Sequence, residues 1–131
     1  MATTILDFSR RFQIWEYTVG HAQLLLRSTK TPETASRIDV LFKNVAEIHL
    51  PTILDGLIVS ELTDTEASEM PLLVPERLKT RTVFVARTTN GTGYVIAGAT
   101  FWHEDDGEYD DPGFFTASMH PGWAILPKTQ P

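Results

Sequence analysis

Apolar and polar positions alternate along most of the chain, and this alternation predicts strands. Residues 11–19, RFQIWEYTV, set Trp15, Tyr17 and Val19 on one face and Phe12, Ile14, Glu16 and Thr18 on the other. Residues 21–28, HAQLLLRS, set Ala22, Leu24 and Leu26 against His21, Gln23, Leu25 and Arg27. Gly20 between them suits either a tight hairpin turn or a bulge in one long bent strand. Polar residues 29–36 with Pro32 predict a loop. In residues 37–45, Ile38, Val40 and Phe42 form one face. The opposite face carries Arg37, Asp39 and Lys43 with Leu41 and Val45, as expected of a half-buried strand whose second side is largely wet.

Residues 46–50 extend this strand or begin a short one before Pro51, and Asp55-Gly56 carries a turn signal between two apolar runs. Residues 63–80 break the pattern. Thr65 to Met70 suit one helical turn, while Pro71 and Pro75 forbid a long helix. Residues 81–104 predict a hairpin about a type I′ turn at Asn90-Gly91, because that dipeptide tolerates two positive φ angles. That turn opposes Thr89 to Thr92, Arg87 to Tyr94, Val85 to Ile96 and Phe84 to Ala97. Phe84, Ala86, Val95, Ala97, Ala99 and Phe101 then face the core. Val83, Val85, Tyr94, Ile96 and Trp102 form a second face too apolar to be fully wet. It lies under another segment or serves as an interface. Residues 112–119 suit a last strand, followed by a proline-punctuated tail whose Trp123 and Ile125 pack onto the body.

These elements predict an all-β, mainly antiparallel fold. It is a β-sandwich or small barrel of about eight strands, with a long loop or short helix around residues 63–80. A length of 131 residues fits one domain spanning 1–131.

Charge sharpens the picture at one place. Six of the eight residues from Glu104 to Asp111 are carboxylates. Removing them from the 17 acidic residues leaves 11, equal to the 11 Lys and Arg, so the net charge of −6 is concentrated in that segment. The chain lacks the clustered Lys and Arg that nucleic acid or an anionic membrane requires. It contains no cysteine, which excludes disulfides and thiolate chemistry and fits a reducing compartment. It opens without a signal-peptide pattern and has no apolar run of membrane-spanning length, so a cytoplasmic location is expected.

Candidate chemistry falls in two groups. His103, Asp106, Glu108 and Asp110 offer imidazole and spaced carboxylates to a divalent cation, the one cofactor considered, although the spacing departs from an EF-hand. His21, Arg27, Arg37 and Asp39 lie on polar strand faces that could adjoin as a polar pocket or an ion-pair cluster. No G-x-S-x-G, H-E-x-x-H, G-x-G-x-x-G or P-loop pattern occurs, so no catalytic residue is assigned. The expectation is a non-enzymatic interaction domain that forms a homo-oligomer. The alternative is a divalent-metal-binding protein or metal-dependent enzyme using residues 103–111. A weaker third reading is an acidic immunity-type inhibitor of a basic partner.

Overall fold

A computed structural model describes residues 2–70 and 80–120. Eight strands form one sheet: β1 (Thr3–Thr18), β2 (Gln23–Ser28), β3 (Arg37–Lys43), β4 (Glu47–His49), β5 (Ile53–Glu61), β6 (Thr82–Thr88), β7 (Gly91–Ala97) and β8 (Ala99–Asp105). Two short helices, α1 (Asp64–Ser68) and α2 (Thr116–Met119), lie outside it. The hydrogen-bonded order is β4-β7-β6-β5-β1-β2-β3-β8, with every pair antiparallel. The all-β expectation is met.

The chain itself links the two ends of that order. It passes from β3 to β4 through residues 44–46 and from β7 to β8 at Gly98. At the join, the Gly98 N–H donates to the Lys43 carbonyl (2.9 Å) and the Ala46 N–H to the Ile96 carbonyl (2.7 Å). The sheet therefore curls around an inner core without closing. Phe12, Leu24, Leu26, Val40, Leu54, Leu57, Val59 and Val95 fill that core with no measurable exposure or nearly none.

β1 makes the curl. It pairs with β5 along its first two-thirds and with β2 from Gln13 onward. Register shifts at Thr4/Leu6, Phe8/Arg11 and Ile14/Glu16 mark bulges, which bend a strand and increase its twist. Gly56 opposes the second bulge with φ +77°, a conformation glycine takes without a Cβ penalty. The expected Asp55-Gly56 turn is thus corrected: β5 runs straight through it.

Four other expectations change. β1 begins at Thr3, well before residue 11, while of the two readings at Gly20 the hairpin holds, closed by a 3₁₀ turn at Gly20–Ala22. The β6–β7 hairpin closes with Thr88 opposite Gly91, a slip of two residues from the Asn90-Gly91 turn. A two-residue slip keeps the side chains of β6 and β7 on their predicted faces, so Phe84 stays in the core, opposite Val95 and not Ala97. Ala99 and Phe101, predicted to face the core, are turned out by the break at Gly98, and Phe101 stands opposite Leu41 of the outer face. Bonds to β5 set this turn: the Thr89 N–H reaches the Asp55 carbonyl (2.8 Å) and Asn90 Nδ2 the Ile53 carbonyl (3.2 Å). The predicted long strand through residue 104 divides at Gly98, after which β8 pairs with β3 and not with β6. Residues 112–119 form a turn and α2 where a strand was expected. Trp123 and Ile125, like Pro71 and Pro75, lie outside the described residues.

The outer face is covered in two places. α1, started by a Thr63–Glu66 capping box, lays Ala67 on Val83 and Ile96, with Val85, Tyr94 and Met70 around them. Phe115 and Met119 lie on Leu25 and Leu41, with Trp15 beside them.

Candidate functional site

Strand register brings the charged residues together. On the outer face, Arg27 of β2 stands opposite Asp39 of β3, which stands opposite His103 of β8. Two residues along, Arg37 of β3 stands opposite Asp105 of β8. These side chains share a face because residues of a strand point alternately to its two sides. The predicted wet face of β3 is therefore a correction: Arg37, Asp39 and Leu41 are 1%, 3% and 0% exposed.

Both arginines grip carboxylates with two parallel bonds. Arg27 Nε and Nη2 reach the Asp39 oxygens at 2.7 and 3.0 Å, and Arg37 Nε and Nη2 reach those of Asp105 at 3.0 and 2.9 Å. Further N–H groups of both arginines go to main-chain carbonyls of the acidic segment. Arg37 Nη1 donates to the carbonyls of Glu108 and Asp111, both at 2.6 Å, and Nη2 to that of Pro112 at 3.4 Å. Arg27 Nη1 donates to the Tyr109 carbonyl at 3.2 Å. Arg37 thus spends all five donors of its guanidinium within the chain.

The acidic segment is accordingly held to the sheet by its main chain. Its backbone turns inward over two buried cations, while the side chains of Asp106, Glu108 and Asp110 turn outward and are exposed. Two glycines allow this approach. A Cβ at Gly107 would collide with the Arg37 guanidinium, and one at Gly113 with the Asp39 carboxylate. The Gly107 N–H also donates to Asp105 Oδ1 (3.0 Å). Burial pushes the Asp105 carboxyl up, but the Arg37 and Gly107 hydrogen bonds and the Arg37 charge outweigh it and hold the group below its ordinary range. Burial likewise opposes the charge on Arg37, and the bond to Asp105 with the fields of Asp105, Asp39 and Asp111 raises its pKa instead.

Aromatic rings border this cluster. The Arg27 guanidinium sits 5.0 Å from the Trp15 ring, and Tyr109 meets the edge of Trp15 at 4.8 Å. Phe114 stacks on His103 at 4.3 Å. A cavity of about 90 Å³ lies alongside, lined by Trp15, Arg27, Asp39 and Phe115 with Glu16 and His120, whose side chains are in contact.

The predicted groups fare differently. Arg27, Arg37 and Asp39 converge. His21 does not, since it occupies the β1–β2 turn with φ +62° and is exposed. Among the described residues, no three His, Asp or Glu side chains are placed to hold a metal ion. Glu108 pairs with Lys30 (2.9 Å), and His103 keeps Nδ1 buried without a hydrogen-bond partner. Of the predicted interface, Val83 and Ile96 are covered by α1 in the same chain and are corrected to core, with Val85 and Tyr94 packed beside them. Trp102 alone remains strongly exposed.

Trp102 belongs to a second feature, the free edge of β8. Only β3 pairs with this strand among the described residues. Trp102 and Phe101 are each 48% exposed on its two sides. Trp102 touches Phe8 at 5.3 Å, and Lys43 Nζ lies 5.8 Å from the Phe101 ring. A cleft of about 400 Å³ runs beside it, with Ile5, Leu6, Phe84 and Thr100 in its walls.

Comparison with family models, with curated proteins and with solved structures finds no match for the chain. Gly107, Gly113 and Asp105 are the cluster residues that the predicted pocket omitted. Their sequence signal is two glycines flanking carboxylates downstream of a strand.

Proposed function

We propose that this protein is a non-catalytic interaction domain that associates with a second copy of itself, with the free edge of β8 as its contact surface. One observation carries this reading: a seven-residue edge strand with no proline or lysine presents Phe101 and Trp102 half exposed, one on each side. Edge strands offer unpaired N–H and C=O groups as a template, and chains that avoid pairing shorten or charge them. The other edge meets that rule, because β4 has three residues and Pro51 follows closely. The Arg27–Arg37 cluster supports a structural role for the acidic segment, since all five Arg37 donors and three Arg27 bonds are made within the chain. The acidic balance argues against nucleic acid or anionic membrane as partner. A cysteine-free chain suits a reducing compartment such as the cytoplasm.

Light scattering across micromolar concentrations tests the reading. The expected mass is twice the 14.7 kDa of one chain, falling to one chain for Phe101→Lys and Trp102→Lys with their circular dichroism unchanged. A wild-type protein that stays monomeric throughout removes the proposal.

A further inference from the structure

We infer that two copies join through an antiparallel β8–β8 ladder centred on Trp102, an arrangement that rests on the self-association proposed above. β8 spans residues 99–105, so a two-fold axis at Trp102 is the one centring that pairs all seven residues of each strand. Centring on Phe101 or His103 leaves two residues of each strand unpaired, and Gly98, where the chain leaves β7, limits any extension on that side.

Charge selects the polarity. β8 is neutral from Ala99 to Trp102 and ends in Glu104-Asp105, which leads into the rest of the acidic segment. A parallel pair would place these acidic ends side by side, and like charges directly opposite each other destabilise a sheet. The antiparallel pair sets Glu104 opposite Thr100 of the second copy and Asp105 opposite Ala99, and it sends the two acidic segments to opposite ends. Phe101 then faces His103 of the second copy. The Trp102 rings meet at the axis as a cross-strand aromatic pair, each already resting edge-on against its own Phe8. Such an interface is isologous and self-limiting, giving a closed dimer and no filament.

The lack of cysteine makes the register directly testable, because any thiol is one deliberately introduced. Thr100→Cys and Glu104→Cys are made as separate single variants, one carrying a size tag, then mixed, equilibrated and oxidised. Only the proposed register sets position 100 of one copy directly opposite position 104 of the other with both side chains on one face, so the mixture should yield on the order of tenfold more cross-linked dimer than either variant alone. Glu104 is exposed and supplies a second readout should Thr100→Cys not fold: a nitroxide on Glu104→Cys should report a pair separation on the order of 13 Å, four strand residues. Equal cross-linking in each single variant, or none in the mixture while light scattering still finds a dimer, overturns the register and leaves self-association standing. A monomer by light scattering overturns both.

Discussion

The outer face of the sheet is sealed twice, by two kinds of chemistry. Over β6 and β7 the cover is α1, and the contact is aliphatic: Ala67 and Met70 against Val83 and Ile96. Over β2, β3 and β8 the cover is the acidic segment with α2. Its apolar part, Phe115 and Met119 on Leu25 and Leu41, stands beside two buried arginine–carboxylate pairs. An apolar cover is non-directional and needs only area removed from water. A charged cover is directional: each guanidinium N–H must meet an oxygen, because an unpaired buried charge is costly. The second cover therefore has its path fixed carbonyl by carbonyl, at Glu108, Tyr109, Asp111 and Pro112, whereas α1 is held by surface and by its own cap.

The largest test removes one partner of a buried pair. Asp39→Ala leaves Arg27 charged, 4% exposed and without its carboxylate. It should lower the unfolding free energy by about 3–5 kcal/mol, measured by urea denaturation. Replacing both partners, Arg27→Met with Asp39→Leu, removes the charge and the need for it together, and should cost under about 2 kcal/mol. A double replacement as damaging as the single one would mean that the cover depends on the ion pair itself and not on avoiding an orphaned charge.

Next in size is the close approach of the backbone. Gly113→Ala and Gly107→Ala each push a methyl group into a charged side chain that has little room to move, at an expected cost of about 1–3 kcal/mol. Gly20→Ala is the control, since its Cβ meets nothing within 4 Å and should change stability by no more than about 0.5 kcal/mol. If all three cost the same, the glycines matter for chain entropy and not for contact.

Acid should separate the two covers. Asp105 titrates below its ordinary value of 3.8 when folded. A depressed carboxyl stabilises the native state fully above the unfolded value, and the contribution disappears as the pH falls through the folded one. Wild-type protein should therefore lose its advantage over Asp105→Asn as the pH drops below about 3.8, while Ile96→Val should keep a constant difference from wild type. Urea midpoints at successive pH values give both curves. A gap between wild type and Asp105→Asn that is independent of pH would remove ionised Asp105 from the account of the charged cover.

Alternation in the sequence carried most of this fold because it reports which face of a strand is buried. It placed Ile38, Val40 and Phe42 inside and kept Phe84 and Val95 on one face even though the turn slipped, since a two-residue slip preserves faces. It also put Arg27, Arg37 and Asp39 on polar strand faces that could adjoin. It could not report that those faces are covered, because the cover comes from residues 105–119, more than sixty positions away from β3. His21 was misplaced for a local reason: the turn after Gly20 reverses the chain before the alternation resumes. The break at Gly98 was not read from the sequence, where alternation runs on to residue 104, and the change of partner from β6 to β3 depends on the curl of the whole sheet. The free edge of β8 follows from that same change of partner and has no local signature.

The smallest expected effect is also the sharpest on what holds the acidic segment. Glu108 contributes twice: its carbonyl accepts from Arg37 at 2.6 Å, and its carboxylate pairs with Lys30 at 2.9 Å. The carboxylate is 74% exposed, so water and salt compete for it, whereas the carbonyl bond lies against a buried guanidinium. Glu108→Gln removes the charge and leaves the carbonyl in place. It should cost no more than about 1 kcal/mol, with the difference vanishing in high salt, by the same urea measurement. The Glu108 carboxylate would then contribute little to the position of the segment, and its backbone would be the part the arginines recognise. A cost at Glu108→Gln comparable to that of Asp39→Ala would reverse that order and make the side-chain charges the fastening.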